Sequence, residues 1–182
     1  MKKLFIAVLI FIGGAVLVAA VRAQSAPAAK PTIASVLDSQ LSTVEREVVG
    51  AAEAMPEDKY SFAPTTGEFK GVRTFGEQVK HIAAANYRFF DTILGEKSPA
   101  NESGPDALKT KAQIVQYLKD SFALGHRAIA TITPENAAEL LADGKSTRLQ
   151  YASMGCWHPM DHYGQMVEYL RMNGIIPPAS RQ

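Results

Sequence analysis

The spacing of apolar residues after position 32 limits this chain to one kind of fold. From Ile33 they fall at Leu37, Leu41, Val44, Val48, Ala52 and Met55, at intervals of 4, 4, 3, 4, 4 and 3. Such intervals line one face of a helix and cannot line one face of a strand, whose side chains alternate with a period of two. Pro56 closes this first helix. A second stripe runs through Phe75, Val79, Ile82, Phe89 and Ile93, with Asn86 intruding, and Gly95 ends it. Thr74 followed by Glu77 fits a capping box at its start. A third helix begins near Thr110, with a similar Thr110 and Gln113 pair, and continues through Ile114, Leu118, Phe122 and Ile129. The last covers roughly Leu149 to Asn173 and stops at Asn173-Gly174, with Pro177 and Pro178 beyond. No segment sustains a period of two, and no repeat of 20 to 50 residues is present. The expected fold class is all-α, a four-helix bundle, with the order of its helices left open by the periodicity.

The connections differ in character. Glu57 to Arg73 carries Pro64, Gly67 and Gly71 without an apolar period. It reads as a long connection of the kind that often borders a functional site. Glu96 to Lys109 reads as a polar loop. Thr133-Pro134-Glu135 predicts a short helical segment to Leu141, broken by Asp143-Gly144-Lys145.

The first 23 residues are set apart from the fold. Met1-Lys2-Lys3 is basic, Leu4 to Val21 is an 18-residue apolar run, and Val21-Arg22-Ala23 offers small residues to a signal peptidase. Export to the periplasm or the exterior is expected, with retention as an N-terminal membrane anchor the alternative. No cysteine follows the run, which argues against a lipidated N-terminus. Residues 24–31 are an Ala/Pro-rich tether, and residues 32–180 hold the bundle. The formal net charge is +1, and beyond the leader no basic cluster stands out, so nucleic acid is not an expected partner. Cys156 is the single cysteine and has no intramolecular disulfide partner. Packing, helped by a metal ion, must then hold the domain.

Two of the four histidines lie in Cys156-Trp157-His158-Pro159-Met160-Asp161-His162. At i and i+4 on a helix, His158 and His162 can direct their imidazoles at one point. A transition metal needs a third protein ligand, and His81 and His126 are both candidates. His81 precedes Ala83, Ala84 and Ala85, which leave space near a bundle axis, whereas His126 stands beside Arg127 and reads as part of a solvated face. Cys156 lies about 200° round the helix from His158 and reads as a small buried hydrophobe. Pro159 removes the bond to the Gly155 carbonyl and predicts a kink or a fresh helix start there. It also occupies the place of the glutamate in an HExxH zinc peptidase, which disfavours that class.

The histidine pair followed by Tyr163-Gly164-Gln165, a short helix to Asn173, then Gly174 and Pro177-Pro178, resembles the closing helix of the DinB-like superfamily. His81 to Tyr87 with Phe89-Phe90 resembles that family's first ligand-bearing helix. The resemblance spans about residues 33 to 178. It implies up-down-down-up helix order and a divalent metal held by His81, His158 and His162. Pro159 and Asp161 depart from the pattern, since many members have a glutamate after the first histidine of the pair and another histidine before the second.

The family includes thiol-dependent transferases and isomerases that use cytosolic thiols, a use that export argues against here. The functional expectation is a metal-dependent enzyme, hydrolase or transferase, acting on an unidentified small molecule. The alternative is a non-catalytic bundle stapled by the three histidines. Imidazole suits several transition metals, and zinc or nickel is the expected occupant. Asn86, Tyr163, Gln165 and Asp161 are candidates for supporting the ligands or moving protons. Membrane contact is expected only through an uncleaved leader, and a homodimer stays open.

Overall fold

The computed structural model describes residues 30–98, 101 and 103–181; the expected leader and residues 24–29 of the tether lie outside them. Four helices make the fold: α1 (Ile33–Ala54), α2 (Phe75–Leu94), α3 (Lys111–Ile129) and α4 (Arg148–Met172). Each begins and ends within two residues of the limits read from the apolar period. A threonine caps every one of them. Thr32, Thr74, Thr110 and Thr147 accept the backbone N–H of Ser35, Glu77, Gln113 and Gln150 in turn. Each cap satisfies an otherwise orphaned donor and contributes about 1 kcal/mol. Gly174, at φ 73°, supplies the left-handed exit expected after α4.

The order is up-down-down-up, and particular contacts fix it. His126, late in α3, meets Asp38 early in α1, while Lys111 at the start of α3 reaches Met55 at the end of α1, so these two helices are antiparallel. The Tyr87 and Tyr117 rings stack at mid-helix, and Glu96, just past the end of α2, pairs with Arg127 near the end of α3, so α2 and α3 run parallel. Gln78 meets Gln165 and Phe89 meets Tyr151, which makes α2 and α4 antiparallel. α1 packs on α3 and α4, and α2 packs on the same pair, so α1 and α2 occupy one diagonal. The long connection after α1 makes that crossing. It starts with a 3-10 turn at Glu57–Lys59 and is tied down where Tyr60 donates to the Ala52 carbonyl and accepts from Gly76 N.

Apolar stripes from all four helices meet in one core around Leu41, Phe90, Phe122 and Leu170. The fully buried Phe90 ring lies against two glycines, Gly125 of α3 and Gly155 of α4, whose missing side chains leave it room.

Two local expectations are corrected. Residues 133–141 are not a helix but a series of turns. Thr133 and Asn136 bond each other as a helix start would, but the Ala137 carbonyl then accepts from Leu149 N in α4, and Leu140 bridges to Thr147. These long-range bonds draw the backbone out of the helical path after its first turn. Nor does Pro159 start a helix: α4 runs unbroken from Arg148, eleven residues earlier. The proline is buried within it, and the missing bond to Gly155 costs about 3 kcal/mol that packing must offset.

Candidate metal centre

α2 and α4 lie antiparallel, and at mid-height they bring together His81, His158 and His162. One ligating nitrogen from each lies within 4.8 Å of the others. The ring centroids of His81 are 5.3 Å from His158 and 4.8 Å from His162, and those of His158 and His162 are 4.6 Å apart. His81 and His162 are buried, and His158 is half-buried. No carboxylate or thiol among the described residues joins the cluster.

The i, i+4 pair meets through Nε2 atoms 3.2 Å apart. A tetrahedral ion with metal–nitrogen bonds of about 2.0–2.1 Å requires ligand atoms about 3.3 Å apart. The pair therefore already has the spacing of two ligands, and His81 brings a third ligand atom within 4.8 Å of both. His158 Nδ1 is buried without a hydrogen-bond partner. Its ring is held instead by packing, with Phe89 edge-on at 5.6 Å and Trp157 at 6.1 Å. His162 is held differently, by Gln78 Nε2 at 2.8 Å from its Nδ1.

The electrostatics keep these rings neutral. Burial, then the neighbouring His162, His81 and Arg88, push His158 down to about 4, against the opposing charge of Asp161. Burial and His81 lower His162 in the same way. At neutral pH both rings are uncharged, as metal binding requires. Three histidines so arranged can hold a metal ion.

The other candidates separate. His126 lies outside the cluster, in the α1–α3 contact. It is not on a solvated face as expected, because it sits half-buried between Asp38 Oδ1 at 2.6 Å and Glu45 Oε2 at 3.1 Å. Of the supporting candidates, only Gln165 adjoins the cluster, accepting from Gln78. Asp161 is exposed and acts on the pair through its charge alone. Asn86 turns to α3 and donates to Ser121 Oγ at 3.2 Å. Tyr163 is half-buried against the core, where burial and Glu47 of α1 raise its hydroxyl. Cys156 is half-buried rather than buried; with Trp157 and Met160 it lines a groove of about 510 Å³ against α1 that none of the three histidines borders. Burial pushes its thiol up to about 11.

Gln78 is the residue that sequence reasoning missed. It lies three residues before His81, and Gln165 lies three after His162. In antiparallel helices, one turn back on one strand of the pair meets one turn forward on the other. That symmetry was the available signal.

The fold and the cluster together define a class: an up-down-down-up four-helix bundle carrying three histidines on two antiparallel helices. Residues 40–166, well over half the chain, match the family model of the DinB superfamily, and the chain belongs to that superfamily. No curated protein matches it significantly.

Proposed function

We propose that this is an exported protein whose His81, His158 and His162 hold a divalent transition metal, zinc or nickel, and that it is a metal-dependent hydrolase or transferase for a small molecule. The observation that carries the reading is the all-imidazole cluster. Three neutral ligands leave an ion's charge uncompensated and a coordination position for water or substrate. Such an ion lowers the pKa of bound water towards 7 or activates a thiolate. Burial holds His158 and His162 neutral, and the chain fixes the His158 ring by aromatic packing and the His162 ring by Gln78. Export is supported by the basic start and apolar run of residues 1–21.

The low exposure of His81 and His162, 5% and 8%, favours a second reading, in which the ion staples α2 to α4 without turnover. Elemental analysis of protein purified without chelator tests both, and a ratio near zero in native and metal-reloaded samples removes both. Azide added to the cobalt-loaded protein separates them: a changed visible spectrum reports an open position, an unchanged one a closed staple. A panel of ester, amide, phosphoester and thiol-transfer substrates then addresses the reaction.

A further inference from the structure

Gln78 is 1% exposed, and its amide NH2 donates in two directions, to His162 Nδ1 at 2.8 Å and to Gln165 Oε1. Both hydrogens are used. With Nδ1 accepting, the His162 proton sits on Nε2, the nitrogen that points at His158. A nitrogen that carries a proton has no lone pair for an ion. Coordination through Nε2 therefore needs the proton on Nδ1, and Nδ1–H needs an acceptor. Gln78 supplies one only by turning its amide through a half-rotation to present Oε1. That oxygen then meets Gln165 Oε1, unless Gln165 turns as well and offers its NH2. The three side chains thus have two settings in which every contact among them pairs a donor with an acceptor, and a turn of Gln78 alone sets its buried Oε1 against Gln165 Oε1.

We propose that Gln78 and Gln165 are coupled positioning residues that decide which ring nitrogen of His162 carries the proton, so that His162 becomes a ligand only when both amides turn together. The proposal rests on reading the three histidines as a metal centre. Outer partners of this kind change metal affinity by about 10–100-fold.

Two substitutions of equal charge separate it from general electrostatics. In Gln78→Glu the carboxylate can only accept, which holds the proton on Nδ1 and fixes the ligating form. In Gln165→Glu the carboxylate demands the Gln78 NH2, which holds Nδ1 as an acceptor and fixes the non-ligating form. Simple attraction to a cation would tighten binding in both. The expected result, by chelator competition with cobalt(II), is tighter binding in Gln78→Glu by tenfold or more and weaker binding in Gln165→Glu by a similar factor. Should Gln78→Glu fail to fold, Gln165→Glu against Gln165→Met carries the same test, with the carboxylate variant the weaker binder. Nitrogen-15 spectra of the metal-free protein give a readout independent of any metal: His162 protonated on Nε2 in the wild type and in Gln165→Glu, and on Nδ1 in Gln78→Glu. Tightening by both carboxylates, or one tautomer in all three proteins, overturns the proposal. A wild type that binds no cobalt while its tautomers shift as described overturns the metal reading instead.

Discussion

A Cβ on Gly155 would lie 2.3 Å from Cζ of Phe90, so the phenyl ring occupies the space of the side chain that α4 lacks there. Phe90 is fully buried and also rests against Gly125, which leaves it nowhere to move. Gly155→Ala should destabilise the bundle by about 1–3 kcal/mol through overpacking. At about 2–4 °C per kcal/mol, Tm falls by several degrees. Adding Phe90→Leu should recover part of that loss, and strictly additive effects in the double variant would show that the two do not share the space.

Lys111 closes the end of a helix other than its own. Its ammonium donates to the carbonyls of Glu53 at 2.7 Å and Met55 at 2.8 Å, at the C-terminus of α1, which has no basic residue in its last turn. Lys111→Met keeps the length of the stem and removes the charge, and should cost about 1 kcal/mol. Urea denaturation measures it; a midpoint equal to that of the wild type would contradict this role.

His126 ties α3 to α1 in a pH-dependent way. Burial works to lower its pKa, but the hydrogen bonds and charges of Asp38 and Glu45 outweigh burial and raise it. Both ring nitrogens face carboxylates, which fits the imidazolium. A folded-state pKa above the unfolded value near 6.5 gives stability that is full below about pH 6.5 and is lost as pH rises through the folded value. His126→Gln should therefore be less stable than the wild type at pH 6 by roughly 1 kcal/mol, a figure discounted for the part-exposed carboxylates. The gap should narrow by pH 9, and a gap independent of pH would refute the clamp.

Replacing His81, His158 or His162 by Ala should each abolish stoichiometric metal binding, as followed by calorimetry with zinc or nickel. His126→Ala should leave the stoichiometry unchanged, because that ring is engaged between Asp38 and Glu45 of α1. Equal loss from the His126 variant would move the third ligand to α3.

The first three helices were legible because each stripe obeys one period, and the last because Asn173-Gly174 and the two prolines beyond mark its end. Ser35 is an uncommon box partner for Thr32, but Thr147 with Gln150 shows the same spacing as the two pairs read from the sequence. The turn at Thr133 was misread because its first bonds are those of a helix, and what ends it is a distant N–H, that of Leu149. Of the two outcomes expected at Pro159, the fresh start does not occur, because the local rule knows only the lost bond whereas the surrounding packing decides whether the helix continues. The histidine pair was legible from spacing within one helix. The choice of His81 over His126 depends on which helices are neighbours, and periodicity does not carry that. Gln78 was hidden for a similar reason: its role exists only once α2 and α4 are aligned.

That alignment also sets the order of events in the life of the chain. His81 emerges in the second helix, but its two companions arrive only with the last, 77 and 81 positions later. A nascent or truncated polypeptide lacking α4 presents only one of the three clustered imidazoles. Any ion captured by the full set thus reports that synthesis has passed the last helix and that this helix has found its place beside the second.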